Sequence, residues 1–200
     1  MSAPRTRHWT VVQRILRYLK GTLNVGLFFP TTGEVTLTAY ADANYAGCLD
    51  TRRSTSGWCV QFGNSFVSWR CKKQDRVAKS STEAEYRSMS EVASELVWLR
   101  RFFAEFGLDC RVPIRLYAYN TSAIRIATNL VLHDLTKHIE VHVHYIRQLV
   151  NDGVIELVYI TSEDQTADLL TKALASARHW FLAHKLMLRR HHQFEEGVRS

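Results

Sequence analysis

Three acidic residues lie near the ends of predicted helices and strands, where they could hold a metal ion together. Asp42 follows the stretch TLTAY, Glu85 lies in SSTEAEYRSM, and Asp168 lies in EDQTADLLTK. Carboxylate oxygens are the ligands that hard divalent cations prefer in proteins. Asp42 also suits a turn and Asp168 also suits the first turn of a helix, so this pattern alone leaves both explanations open.

The two glutamates of TEAEY are predicted to lie on different faces of one long helix. At 3.6 residues per turn, Glu85 shares a stripe with five apolar residues: Met89, Val92, Leu96, Leu99 and Phe103. Glu83 lies about 200° away from Glu85 and four residues before Arg87, which predicts a solvated salt bridge. A carboxylate at the end of an apolar stripe is costly unless a cation compensates it. Glu85 is therefore the candidate for chemistry, whereas Glu83 has a structural explanation.

The elements that must position these acids follow an α/β order. Strands are predicted over residues 34–43, 58–62, 65–70, 114–119 and 154–160, with Gly63-Asn64 as a hairpin turn. Helices are predicted over residues 8–20, 122–129, 137–151, 164–173 and 177–188, and the long helix is capped by Ser80, Ser81 or Thr82. Three strands, a helix, a strand, further helices and a last strand indicate a mixed sheet with helices packed on it.

Composition and charge exclude several classes of protein. The 200 residues are 46% hydrophobic and 22% charged, which is typical of a globular domain rather than a disordered chain. No apolar run approaches the roughly 18 residues of a membrane span, so we expect no membrane partner. The four cysteines lie far apart without a CxxC pair, which argues against a zinc or redox motif. A net charge of +7 favours a polyanionic partner.

Two basic pairs are candidates for contacts with nucleic acid. Arg52 and Arg53 lie in the stretch DTRRS, and Lys72 and Lys73 lie in CKKQ beside the predicted hairpin. Lysine and arginine at such positions can meet phosphates. A solvated charged loop is the alternative for both pairs.

Clustered histidines and three tryptophans have ordinary explanations that we favour over functional ones. Histidines four residues apart can bind zinc, but the run KHIEVHVHYI suits an ordinary helix; its histidines are His138, His142 and His144. Tryptophan can stack on bases, but core positions are favoured for Trp58, Trp69 and Trp98.

Several long stretches resemble the ribonuclease H domain at the end of copia-type LTR retrotransposon polyproteins. They are YADANYAG, RRSTSGW, VSWRCKKQ, SSTEAEYRSM, TKHIEVHVHYIR and EDQTADLLTK. The opening HWTVVQRILRYLKGTLNVGLFF is similar to that family's connection between reverse transcriptase and ribonuclease H. The resemblance implies a connection segment over 1–30, a ribonuclease H-like α/β domain over 31–188 with a five-stranded mixed sheet flanked by helices, and a polar tail over 189–200.

The resemblance also implies an activity and partners. The family cleaves the RNA strand of RNA–DNA hybrids with two divalent ions, Mg²⁺ or Mn²⁺, held by four carboxylates. The implied partners are such a hybrid and the reverse transcriptase region of the parent polyprotein, in the cytoplasm or the nucleus.

Three of the four implied carboxylates are present, as Asp42, Glu85 and Asp168, and these three can hold one ion. The fourth position falls in LYAYNTSAI, where Tyr119 replaces the aspartate and Asn120 keeps the following residue. A neutral phenol is a poor ligand for Mg²⁺. We therefore expect weak or absent ribonuclease activity with hybrid binding retained, and we count Asn120 with the candidate nucleic-acid-binding residues. The alternative is a catalytically dead nucleic-acid-binding or protein-interaction remnant.

Overall fold

The structure is a computed structural model that describes residues 3–30, 34–110, 113–128 and 140–190. It divides into two compact units, of which one spans Phe29–Met187 and the other combines the two ends of the chain. Within the described residues, no helix is both long enough and apolar enough to span a membrane.

Six helices and seven strands make up the described part of the chain. The helices are α1 Thr6–Thr22, α2 Ser81–Glu105, α3 Thr121–Thr128, α4 Glu140–Asn151, α5 Asp168–Thr171 and α6 Ser176–Lys185. The strands are β1 Val25–Leu27, β2 Leu37–Asn44, β3 Thr55–Phe62, β4 Ser65–Lys73, β5 Ile114–Ala118, β6 Ile155–Tyr159 and β7 Leu188–Arg190.

The larger unit is built on a five-stranded mixed sheet with the order β4-β3-β2-β5-β6. β2, β3 and β4 pair antiparallel, whereas β5 pairs parallel with β2 and β6 pairs parallel with β5. The β3–β4 hairpin turns at Gly63, whose φ of +55° is a backbone conformation that favours glycine. The predicted mixed sheet of five strands flanked by helices is confirmed.

Helix α2 packs its apolar stripe into the core, as its sequence period predicts. Glu85 and the four apolar residues from Met89 to Leu99 on this stripe are all buried. The helix begins after Ser80, whose hydroxyl oxygen accepts a hydrogen bond of 3.1 Å from the backbone N–H of Glu83. The sequence therefore orients Glu85 toward the sheet.

The predicted salt bridge between Glu83 and Arg87 is confirmed, but its predicted solvation is wrong. The two side chains meet at 2.6 Å, and only 2% of Glu83 is exposed. The backbone N–H of Lys79 donates to the second carboxylate oxygen of Glu83 at 2.7 Å. Glu83 is buried because the segment before the helix folds over it.

Many predicted boundaries are shifted by a few residues, and the following bear on the candidate site and the end of the domain. Asp42 lies inside β2, as it does in the strand predicted over 34–43, and β2 continues to Asn44. The helix predicted over 164–173 is only the four-residue α5, because the side chain of Gln165 makes the hydrogen bonds here, to the backbone of Ala41 and Ala167. Residues 189 and 190, predicted as tail, belong to β7, which pairs with β1.

Two of the three tryptophans predicted for the core are on the surface. Trp58 is buried as predicted, but Trp69 is 52% exposed and Trp98 is 56% exposed. Trp69 stacks on Phe66 and Trp98 stacks on Phe102, so each ring is covered on one side by a neighbouring ring.

Gly57 of β3 lets α5 lie directly on the sheet. It pairs with Asp42 in the β2–β3 register. A Cβ atom at this position would lie 2.4 Å from Cγ2 of Thr171 and 3.0 Å from Cβ of Leu170. The absence of a side chain therefore allows Thr171 to approach the carboxylate of Asp42.

We predict that Gly57→Ala pushes α5 off the sheet and lowers the free energy of unfolding by roughly 1–3 kcal/mol, as overpacking does. Gly21→Ala is the matched control, because a Cβ atom there meets no atom within 4 Å. Urea unfolding monitored by circular dichroism measures both variants. Equal stability of Gly57→Ala and the unmodified chain would contradict the role assigned to this close approach.

Candidate active site

Asp42 is fully buried, and two residues at the end of α5 contact its carboxylate. The Thr171 hydroxyl donates to Oδ2, and the Lys172 ammonium lies 3.3 Å from Oδ1. The backbone carbonyl of Asp42 accepts a hydrogen bond of 2.9 Å from the hydroxyl of Ser88 on α2. Asp42 therefore connects the sheet to both helices.

Asp168 shares the Lys172 ammonium with Asp42. It is the first residue of α5, it is 6% exposed, and its Oδ1 lies 2.6 Å from Nζ of Lys172. Burial alone would lower the pKa of Lys172, but the hydrogen bond with Asp168 and the charge of Asp42 raise it above its usual value. The lysine is therefore charged at neutral pH and bridges two buried aspartates.

Glu85 approaches the same cluster from α2 and is almost completely buried. Its carboxyl group accepts a hydrogen bond from the backbone of Ala43, but its Oε2 has no hydrogen-bond partner among the described residues. Burial and the negative charge of Asp42 raise the pKa of Glu85 to about 9. Glu85 is thus protonated at neutral pH unless a further cation reaches Oε2.

Tyr119 lies beside the three carboxylates, directly after β5. Its ring centroid is 5.4 Å from Nζ of Lys172, and 39% of the residue is exposed. Burial, followed by the charge of Glu85, raises the pKa of its phenol, so the group stays neutral and supplies no anionic ligand. The side-chain oxygen of Asn120 accepts a hydrogen bond of 3.0 Å from the backbone N–H of Ala123 and so caps α3.

The donor atoms suit a hard divalent cation, although a protein cation already lies among them. The donor atoms are all carboxylate oxygens. Oε2 of Glu85 is buried without a hydrogen-bond partner among the described residues, and a bound cation would compensate its charge. Among the described residues, no group of three or more His, Cys, Asp or Glu side chains has metal-binding geometry as it stands. Asp42 and Asp168 are both hydrogen-bonded to Lys172, which sequence analysis missed.

The two predicted basic pairs lie at one end of the β3–β4 hairpin. Arg52 and Arg53 precede β3, while Lys72 and Lys73 end β4, where Lys73 is paired with Thr55. All four are exposed. Gly57, the partner of Asp42, is two residues from Thr55 along β3, which places Lys73 roughly 12 Å from Asp42 by strand geometry. The role of the basic pairs in binding nucleic acid stays a prediction.

A basic cleft next to this hairpin end was not foreseen. It has a volume of about 310 Å³. Four basic and two acidic side chains line it, together with a glutamine and a histidine: Lys72, Lys73, Arg76, Arg87, Asp75, Glu91, Gln74 and His142. Burial lowers the pKa of His142, which contacts the hydroxyl of Ser90 at 3.0 Å, so the imidazole is neutral and the four basic side chains carry the positive charge. The basic run KKQDR was the available signal for Arg76.

The histidines of the run KHIEVHVHYI do not form a zinc site in the part of the chain that is described. His144 lies 3.8 Å from Glu140 on the surface of α4, and His142 contacts Ser90 instead. His138 lies outside the described residues.

Comparisons with known proteins agree with this fold. No family model matches the chain. The chain is 41% identical over 175 residues to the retrovirus-related Pol polyprotein from transposon RE2 of Arabidopsis thaliana, a match that covers 88% of this chain and 12% of that relative. The chain thus spans about an eighth of the length of this curated relative.

Two solved structures share the fold. The N-terminal ribonuclease H domain of a Mycobacterium tuberculosis protein matches with a TM-score of 0.50 and 13% identity, over 76% of this chain and 98% of that one. A ribonuclease H1 isolated from compost, crystallised with an RNA/DNA hybrid, matches with a TM-score of 0.51 and 14% identity, over 68% of this chain and 94% of that one.

The five-stranded mixed sheet and its flanking helices define a ribonuclease H fold. The chain belongs to the retrovirus-related Pol polyproteins of copia-type retrotransposons and is their ribonuclease H domain.

We predict that the metal-free protein becomes less stable as pH rises from about 5 to about 9, because folded Glu85 holds its proton above its unfolded pKa. An acid whose pKa is raised by folding contributes stability that is lost as pH rises through the folded value. Glu85→Gln removes this titration, so its free energy of unfolding should fall less over the same interval. Urea unfolding in EDTA at several pH values measures the difference; parallel curves for the two proteins would disprove the assignment.

Proposed function

We propose that this domain binds RNA–DNA hybrids and hydrolyses their RNA strand weakly or not at all. The observation that carries the proposal is the cluster of Asp42, Glu85 and Asp168, with the neutral Tyr119 as their neighbour. The ribonuclease H fold and the Pol relatives support the substrate class.

Asp42, Glu85 and Asp168 are the residues that would hold Mg²⁺ or Mn²⁺. When bound, such an ion would stabilise negative charge on the phosphate and make a bound water more acidic. The three carboxylates come from β2, α2 and α5, so the packing of these elements fixes their separation. Thr171 orients Asp42 by donating to one of its oxygens, which leaves the other oxygen toward Lys172.

Tyr119 weakens the side of the site where the family implies a fourth carboxylate. Its phenol is neutral, and its ring fills space beside Lys172 that a smaller acid would leave open. Catalytic groups that act as a set contribute non-additively, so the loss of one ligand can remove most of the rate.

The basic pairs at the hairpin end would bind phosphates on the hybrid. They are exposed, and β3, beside which both pairs lie, is the neighbour of the strand that carries Asp42. Contacts of this kind position a duplex without reading its sequence. Binding is therefore expected to persist where hydrolysis is lost.

A cleavage assay on a labelled RNA–DNA hybrid with Mg²⁺ or Mn²⁺ tests the proposed impairment. We expect Tyr119→Asp to cut the RNA strand faster than the unmodified chain by roughly tenfold or more, because it restores the missing carboxylate. Tyr119→Asn is the matched control, since it removes the same ring without adding charge. If the unmodified chain cuts as fast as Tyr119→Asp, another oxygen ligand fills the position and the proposal of impairment is wrong.

Binding at increasing salt concentration tests the proposed interface. Affinity should fall steeply with salt, and replacing Arg52 and Arg53 by glutamine should reduce the slope of log K against log [salt] by up to about 2. Glutamine at Arg100 and Arg101 is the matched control, because these arginines lie about 24 Å along α2 from Glu85. No binding at low salt, or an equal loss in both double variants, would contradict the interface.

A protein-interaction role is the second candidate, and exposed aromatic residues on α2 favour it. Trp98, Phe102 and Phe106 are 56%, 42% and 66% exposed. Trp98 stacks on Phe102, and Phe102 meets Phe106, the residue after α2, edge to face. Exposed apolar patches are common at protein interfaces. The salt titration separates the two functions, since this role requires no affinity for the hybrid.

A further inference from the structure

We propose that Lys172 is a resident cation of the carboxylate cluster, which takes the place of one metal ion so that the site accepts a single divalent ion. The inference rests on the proposed metal site, and it assigns a role to a residue outside the three predicted ligands.

The geometry makes Lys172 part of the site rather than a surface cation. Its ammonium lies 2.6 Å from Oδ1 of Asp168 and 3.3 Å from Oδ1 of Asp42, and both carboxylates are buried. The ring of Tyr119 covers another side of the ammonium at 5.4 Å. A cation held between two buried carboxylates supplies the positive charge that a metal ion would otherwise have to supply to them.

The charges of the cluster agree with one divalent ion. When Glu85 gives up its proton to a bound cation, three ionised carboxylates and one ammonium leave a net charge of −2, which a single divalent ion neutralises. The unpartnered Oε2 of Glu85 is the oxygen in this cluster that still lacks a compensating group. We therefore assign the ion to the Glu85 side of the cluster, where it would share the carboxylates of Asp42 and Asp168 with Lys172.

Lys185 offers a matched comparison in the same unit. It pairs with Asp164, and its side chain is 34% exposed, compared with 35% for Lys172. The carboxylate of Asp164, however, is 55% exposed, whereas those of Asp42 and Asp168 are 0% and 8% exposed. Water can therefore solvate the carboxylate of Asp164 if Lys185 is lost, but it has almost no access to the carboxylates that Lys172 compensates.

Thermal melting of Lys172→Met, Lys172→Arg and Lys185→Met in EDTA and then in Mn²⁺ tests the inference. In EDTA, Lys172→Met should melt lower than the unmodified chain by roughly 5–10 °C, because two buried carboxylates lose their cation. Lys185→Met should change little, and Lys172→Arg should stay close to the unmodified chain. Mn²⁺ should then raise the melting temperature of Lys172→Met more than that of any other variant.

Each outcome of this experiment decides the role of Lys172. If Lys172→Met and Lys185→Met melt alike in EDTA, or if Mn²⁺ stabilises them equally, Lys172 is not a resident cation. If Lys172→Met does not fold in EDTA, folding on addition of Mn²⁺ supports the inference and failure to fold overturns it. The melting experiment contains no nucleic acid. The proposed hybrid binding is therefore tested independently, by the salt titration.

Discussion

The structure depends on the compensation of negative charge between the sheet and two helices. Asp42, Glu85 and Asp168 are removed from water, and an isolated buried carboxylate is strongly unfavourable. Lys172 compensates two of them, while Glu85 is compensated by taking up a proton. This arrangement lets the domain fold around three acids, yet it leaves an oxygen of Glu85 without a hydrogen-bond partner among the described residues.

One close approach and three hydrogen bonds hold α5 in this arrangement. Gly57 removes the side chain that would hold α5 away from β3, and Thr171 then reaches Asp42. Gln165 attaches the segment before α5 to the backbone of β2 at Ala41. The side-chain amide of Asn44 donates to the backbone carbonyl of Thr171 at 3.1 Å. Each contact fixes α5, so the position of Asp168 follows from packing rather than from helix propensity.

Predictions from the sequence were most often correct where the spacing of apolar residues within one helix or strand determines the structure. The helical period identified Glu85 as the buried glutamate, and alternation with turn residues identified the five strands of the sheet. The predictions missed Lys172, although Asp168 and Lys172 are four residues apart, which is a helical spacing that indicates an ion pair. The contact of Lys172 with Asp42 spans 130 residues, and no local pattern encodes it. They also failed for Trp98, because residue type favours burial whereas this face of α2 lies outside the core. Glu83 was predicted to be exposed because the segment before α2 that covers it has neither the helical nor the strand spacing of apolar residues.

The central claim is that the three carboxylates hold one divalent ion beside a fixed ammonium. Calorimetric titration of the unmodified chain with Mn²⁺, alongside Asp42→Asn, measures the number of ions directly. We expect one ion per chain, with affinity greatly reduced in Asp42→Asn. Two ions per chain, or one ion bound equally well by Asp42→Asn, would contradict it.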